Sequence, residues 1–333
     1  MKNFTYYQPA SVQQALPLLG AKWGPAELLA GGTDLLDLQK EYIAQPERVV
    51  SLSAVKELRA IEVQNDLVRV GSGVTLAELA GHAELRKRFP ALTTAAGEVG
   101  GPQIRNMGTL GGNLCQRNRC WYFRDEHVRC LLKGGSKCYA VGPEAQNRYH
   151  AIFTQGHKCV IVHPSTLAPG LIALSATAVV VGPKGQRVIP LEKFFQAPQG
   201  PGMREHVLSP DEIVRHVDIP LKDVKNASYE VRQKVAHDWP LAQAAVAYED
   251  DGGTARNVRV VLGHVAPTPL LSAEAAKALE GKKVTEESAA AAGRAAASGA
   301  KPLGQNAYKT RLLEVAVRRA VLTAAGLKRY WEE

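Results

Sequence analysis

No apolar run in the 333-residue chain approaches the roughly 20 residues that cross a bilayer, so no membrane span is expected. The start, MKNFTYYQPASVQQALPLL, lacks the basic region, apolar core and small-residue cleavage site of a signal peptide. The chain is therefore expected to carry no export signal of its own. There is no Walker loop, no His-Glu-x-x-His helix and no Ser-His-Asp order, which leaves hydrolytic and nucleotide-hydrolysing chemistry without residues. Cysteine is scarce: five residues, Cys115, Cys120, Cys130, Cys138 and Cys159, all in one stretch. So few and so local, they cannot form a disulfide scaffold for a chain of this size. The formal charge is +9, but the basic residues are dispersed and often interleaved with acids, so nucleic-acid binding is not expected.

What is present is an ordinary globular composition, 45% hydrophobic and 22% charged, long enough for two or three domains. Its most informative stretch runs from Gly100 to Cys159 and begins GGPQIRNMGTLGGNLCQRNRCWYFRDEH. In Thr109-Leu110-Gly111-Gly112-Asn113, paired glycines let the backbone come close to a ligand and turn its amides toward an anion. The cysteines that follow are soft donors of the kind iron-sulfur clusters and zinc prefer. Their irregular spacing leaves zinc, a cluster and unligated thiols all open. His127 and His157 lie nearby but are weaker candidates as ligands. Trp121, Tyr122 and Phe123 would exclude water from a metal site, or simply fill core. Arg117, Arg119, Arg124, Arg129, Lys133 and Lys137 could offset thiolate charge, although a solvated face is the default for such residues.

A second glycine turn occurs at Glu27-Leu28-Leu29-Ala30-Gly31-Gly32-Thr33-Asp34-Leu35-Leu36, read as a short strand, a turn and a helix start capped by Thr33 or Asp34. Such a helix end would attract a phosphate. Ser11-Val12-Gln13-Gln14 is a capping box, and so is Thr75-Leu76-Ala77-Glu78, which predicts a helix toward Leu85 after a strand from Leu67 to Val74. Gly71-Ser72-Gly73 is not a dinucleotide fingerprint, because position 76 is Leu. Residues 171–174 read as helix, 178–181 and 187–191 as a hairpin, 196–202 as a loop, and 212–219 and 229–235 as strands. A second domain is expected from about Asp223, with a strand at 258–262 and then helices after Ser272, after Thr285 and from Asn306. The last should carry Leu313, Val317, Ala320, Val321 and Ala324 on one face.

Three ordered motifs carry a family likeness: AGGTDLL at Ala30 to Leu36, IRNMGTLGGNLC at Ile104 to Cys115 and GHVAPTP at Gly263 to Pro269. Together they resemble the FAD-binding medium subunit of the molybdenum hydroxylases, which include carbon monoxide dehydrogenase, xanthine dehydrogenase and aldehyde oxidoreductases. The likeness runs from Phe4 to the last helix. More narrowly, NLCQRNRCWYFRD, with about fifty residues before His163-Pro164-Ser165-Thr166-Leu167, looks like the branch with an extra 4Fe-4S cluster in this subunit. The resemblance implies an α+β fold. A vanillyl-alcohol-oxidase (PCMH)-type FAD-binding domain of two subdomains would occupy residues 1–222, with a cluster-bearing insert at about 115–162. A C-terminal α+β domain would occupy 223–333.

By the same resemblance, FAD would be held by Leu28, Leu29, Ala30, Gly31, Gly32, Thr33, Asp34 and Leu35 and by Thr109, Gly111, Gly112 and Asn113. Thr166, Val214 and Arg232 would complete its site. Cys120, Cys130, Cys138 and Cys159 would ligate the cluster, leaving Cys115 over. Two departures stand out: Thr166 replaces a usual aspartate, and Arg232 a usual lysine, which is not a neutral exchange. FAD and the cluster would bring negative charge that offsets part of the basic excess, and an acidic partner surface would do the same.

The implied role is electron transfer, with no catalytic acid or base in this chain. Substrate would be oxidised on a large molybdenum-cofactor subunit, and electrons would pass through a small 2Fe-2S subunit to FAD and on to an external acceptor. The complex would be a heterotrimer or its dimer. An aldehyde is favoured as substrate because the insert looks most like the aldehyde-oxidising branch. The location would be cytoplasmic, or periplasmic if a signal-bearing partner exports the complex. The rival readings are a stand-alone flavin oxidase and a zinc-stabilised assembly protein without redox function.

Overall fold

The computed structural model describes residues 1–327 and 331, and its described strands form three sheets. β1 (Thr5–Tyr7), β2 (Ala26–Leu29) and β3 (Arg48–Ser51) make a small parallel sheet in the order β1-β3-β2. Parallel neighbours need a crossover, and a helix at Leu35–Lys40 supplies it between β2 and β3. The turn that opens this crossover is the first glycine loop.

β4 (Ile61–Val63), β5 (Leu67–Gly71), β6 (Thr177–Gly182), β7 (Gly185–Pro190) and β8 (Ile213–Pro220) form an antiparallel sheet in the order β4-β5-β8-β6-β7. The pairing of β8 with β6 shifts at a bulge: Val179 pairs with His216 but Val180 pairs with Val214, so Arg215 is the extra residue. A bulge re-aims side chains, and Ile213 and Val214 both reach a cleft described below. Thr75 and Glu78 form the expected capping box, but the helix stops at Gly81. His82 has extended backbone and caps a second helix, Ala83–Arg88, through its ring, so the single helix toward Leu85 is corrected to two.

β9 (Lys225–Val231), β10 (Ala242–Asp251), β11 (Thr254–Gly263) and β12 (Leu270–Leu271) form a third, antiparallel sheet in the order β12-β11-β10-β9. The strand expected at 229–235 thus ends at Val231. Helices at Ala273–Leu279, Glu286–Ala297 and Tyr308–Ala324 pack with this sheet, the first two capped by Ser272 and Thr285. Leu313, Val317, Ala320, Val321 and Ala324 are buried as their spacing predicts. The fold is α+β, as expected.

Residues 115–162 contain little regular structure: one turn of helix at Trp121–Arg124 and a short 3-10 turn at Leu131–Lys133. Without a sheet of its own, this segment is held by polar contacts to the C-terminal region. The amides of Ile152 and Phe153 both donate to the Val265 carbonyl, and Lys301 donates to that of Ile152. Asn306 Nδ2 donates to the carbonyls of His150 and Ala151.

Lys309, on the last helix, is 1% exposed. Its Nζ donates to the carbonyls of Tyr149, His150 and His264 at 3.3, 3.2 and 2.7 Å. Burial lowers this ammonium to about 7, yet three acceptors for its three protons compensate its desolvation. Lys309→Met keeps the length and leaves these carbonyls short of a donor. It should cost about 3 kcal/mol and make residues 140–162 more protease-sensitive. An unchanged urea midpoint and an unchanged digestion pattern would contradict this role.

Candidate functional site: a glycine-walled cleft beside four cysteines

The two glycine turns meet. A Cβ placed on Gly31 would lie 1.8 Å from the Met107 carbonyl oxygen, so only glycine permits this approach. Gly32 adopts φ +74°, the left-handed region where glycine costs least. In the facing turn, Thr109 Oγ1 accepts from the amide of Gly112 at 3.1 Å and caps a helix at Leu110–Cys115. Between the turns lies a cleft whose free space, counting its open mouth, is about 1510 Å³.

Leu28, Ala30, Gly31, Gly32, Thr33, Asp34 and Leu35 line the cleft from one side, Thr109, Gly111 and Gly112 from another, and Val214 from β8. Leu29 is not part of its wall. Asn113 and Thr166 face an adjoining smaller cavity of about 780 Å³, which shares Thr33, Asp34, Thr109, Gly112 and Gln116 with the first. Asn113 Oδ1 accepts from Ser165 Oγ at 2.6 Å, and Thr166 Oγ1 lies 3.4 Å from His264 Nε2. Arg232 lines neither cavity: its guanidinium is engaged by Glu98 and, at 3.0 Å, by Glu230.

Several wall residues carried no signal in the sequence. Trp23, Arg59, Ser72, Arg204 and His206 reach the cleft from separate loops and strands. Arg204 stacks over the Trp23 ring at 4.6 Å and pairs with Glu27. Arg117 pairs with Glu205 at 2.8 Å. The buried Nε of Arg204 lacks a hydrogen-bond partner, so the wall keeps a cationic donor in reserve. Such a wall fits the pyrophosphate of a dinucleotide.

Asp34 occupies the N-cap position of Leu35–Lys40 but makes no side-chain cap bond, which corrects the capping expectation. Its carboxylate turns instead to the cysteine-bearing segment. Oδ2 accepts from the Arg117 amide at 2.8 Å, and Oδ1 meets Arg124 at 2.6 Å and Arg119 at 3.0 Å. Burial alone would raise the pKa of this carboxyl; Arg119, Arg124 and the hydrogen bonds hold it below its ordinary value.

Four cysteines gather beyond Asp34. Cys120, Cys130 and Cys159 pack with Leu38, Phe123, Leu132 and Ile161 in one apolar cluster. The Cys138 and Cys159 side chains face each other, and their interaction lowers the Cys138 thiol and raises that of Cys159. Burial, with the neighbouring Cys138 and Cys130, pushes Cys120 up to about 12. His150 Nε2 lies 3.2 Å from Cys120 Sγ, whereas His127 is exposed. Cys115 stands apart in the wall of the cleft, also pushed up to about 12 by burial. Among the described residues, no group of three or more His, Cys, Asp or Glu side chains is drawn together closely enough to hold a metal ion. No described helix is long and apolar enough to cross a membrane.

Comparison with known proteins agrees with this geometry. Residues 2–222 match the family described as the FAD binding domain in molybdopterin dehydrogenase, and residues 227–324 the CO dehydrogenase flavoprotein C-terminal domain. The chain is 29% identical over 328 residues to the carbon monoxide dehydrogenase medium chain of Hydrogenophaga pseudoflava, covering 97% of each. It is 33% identical over 274 residues to the aldehyde oxidoreductase FAD-binding subunit PaoB of Escherichia coli K12, covering 81% of this chain and 83% of that one. A solved structure of carbon monoxide dehydrogenase from Hydrogenophaga pseudoflava, lacking the Mo-pyranopterin moiety of its cofactor, superposes with a TM-score of 0.76 at 29% identity over 97% of each chain. A cleft walled by two glycine turns, in a chain matched over residues 2–222 and 227–324 by the two family models, thus belongs to an FAD-binding medium subunit of the molybdenum hydroxylases, the oxidoreductase family of carbon monoxide dehydrogenase, aldehyde oxidoreductase and xanthine dehydrogenase.

Proposed function

We propose that this chain is the electron-transfer subunit of an aldehyde-oxidising molybdenum hydroxylase, with FAD in the glycine-walled cleft and a 4Fe-4S cluster on Cys120, Cys130, Cys138 and Cys159. The observation that carries the reading is the adjacency of the two sites, a dinucleotide-sized cleft and four grouped thiols with Asp34 between them. Residues 1–222 would be the FAD-binding domain and 223–333 the C-terminal domain. Bound FAD takes up and releases electrons singly or in pairs, which suits a subunit between one-electron centres and an outside acceptor.

The chain's own residues bind and orient. The turns Leu28 to Leu35 and Thr109 to Asn113 would surround the pyrophosphate, with Arg117 and Arg204 supplying positive charge. Thr166 and Val214 would meet the rest of the cofactor. Arg232, paired with Glu98 and lying beside Glu230, would act at one remove. Cys120, Cys130, Cys138 and Cys159 would hold the cluster as thiolates, the donors that iron-sulfur centres take. Phe123, Leu132 and Ile161 would exclude water from the cluster.

The partners would be a large molybdenum-cofactor subunit and a small 2Fe-2S subunit, and the acceptor an external one. Similarity to the aldehyde oxidoreductase subunit of Escherichia coli supports the substrate class. The compartment would be the cytoplasm, or the periplasm where a partner carries the signal.

Two outcomes follow. Cys130→Ser and Cys138→Ser should each lose most of the iron of anaerobically purified protein and its broad visible absorbance, while Cys115→Ser keeps both; iron retained in the first two, or lost in the third, would contradict the ligand set. Gly31→Ala should lower FAD affinity by about a hundredfold or more, because the turn must retreat from the Met107 carbonyl. Wild-type affinity in a flavin fluorescence titration would refute the cleft as the FAD site.

A further inference from the structure

Asp34 was expected to contact the cofactor or to cap its helix, and its carboxylate does not cap. Its two oxygens serve three donors, the Arg117 amide, Arg124 and Arg119, and all three belong to the cysteine-bearing segment. Arg124 is the centre of this arrangement. Its guanidinium reaches Asp34 at 2.6 Å and Asp37 at 2.9 Å, and its Nε and Nη2 donate to the carbonyls of Asn118 and Arg117 at 3.0 and 3.2 Å. It therefore fixes its own segment and grips the crossover helix together.

Asp34, Asp37 and Leu38 stand at i, i+3 and i+4, which puts them on one side of that helix. Leu38 packs into the apolar cluster of Cys120, Cys130 and Cys159. One side of the helix thus faces the cysteines, while the turn that opens it, Gly31 to Thr33, faces the cleft. The Asp34 and Arg124 side chains are 18% and 13% exposed, so their ion pair is shielded far more than a surface pair. Arg124 itself lines neither cavity.

We propose that Asp34 is a positioning residue, through which the cysteine-bearing segment holds the first glycine turn in its ligand-ready form, so that cofactor affinity depends on a guanidinium, Arg124, that lies outside the cleft. The proposal rests on the reading of the cleft as an FAD site. A carboxylate facing a pyrophosphate would repel it, and saturation by two guanidinium groups and an amide removes that penalty while preorganising the turn.

The test is FAD affinity, by fluorescence titration of cofactor-stripped chain, for wild type, Asp34→Asn, Arg124→Gln and the double variant, with circular dichroism as the control for folding. Each single variant should weaken FAD binding by about tenfold, and the double variant should bind no more weakly than the weaker single, because both remove one interaction. Arg124→Lys, which keeps the charge without the fork, should recover part of the loss. Where Arg124→Gln does not fold, Asp37→Asn takes its place. That side chain is 54% exposed, and its removal should lower affinity in the same direction.

A purely structural role would lower the melting temperature without this non-additive effect on FAD. Wild-type affinity in Arg124→Gln, or losses that multiply in the double variant, would overturn the proposal alone. A wild-type chain that does not bind FAD would overturn the cofactor reading and this proposal with it.

Discussion

Two turns of backbone can share one cleft only where neither carries a side chain at the point of contact. In this chain that point is Gly31 against the carbonyl of Met107. Everything else about the site follows from it. β2 must deliver the first turn and its crossover helix to this spot, and the helix Pro102–Met107 must end there so that Thr109 to Asn113 can form the opposite wall. The antiparallel sheet contributes Ile213 and Val214 through the bulge of β8, closing the cleft from a third side.

The same geometry explains why the cysteines lie where they do. The segment that bears them leaves the second turn directly after Cys115 and has almost no regular structure to stabilise it. It is held at two ends by polar contacts: by Asp34 and Asp37 beside the cleft, and by Lys309 and Asn306 at the C-terminal region. Both ends use groups that burial makes costly when unpaired, so partner and acceptor are ordered together. The basic residues of the segment are consequently not a uniform solvated face. Arg117, Arg119 and Arg124 are mostly buried in pairs, while Lys137 lies over the Tyr139 ring at 4.8 Å.

Local chemistry was legible in the sequence, and long-range pairing was not. The capping residues Thr75, Ser272 and Thr285, both glycine turns and the buried face of the last helix follow from signals a few residues apart. β10 escaped notice because Ala242-Gln243-Ala244-Ala245-Val246-Ala247 has neither the alternation nor the β-branched density of a typical strand. It is a strand because β9 and β11 pair with both its edges and its first seven residues are buried. The partner of Asp34 lies 83 to 90 residues away and that of Arg232 as far as 134, distances over which spacing carries no information. Arg204 and Trp23 joined the wall for the same reason, since their stacking is made only by the fold.

The central claim is that one block of structure holds a flavin in the cleft and iron on four cysteines behind it. Diffraction data at the iron and zinc absorption edges, from crystals of the anaerobically purified protein, test it most directly. The account predicts an iron-edge peak of four atoms among Cys120, Cys130, Cys138 and Cys159, with flavin density between the two glycine turns. A zinc-edge peak at those cysteines, or cysteines without any metal peak, would contradict the cluster; an iron peak with no flavin in the cleft would contradict the shared block.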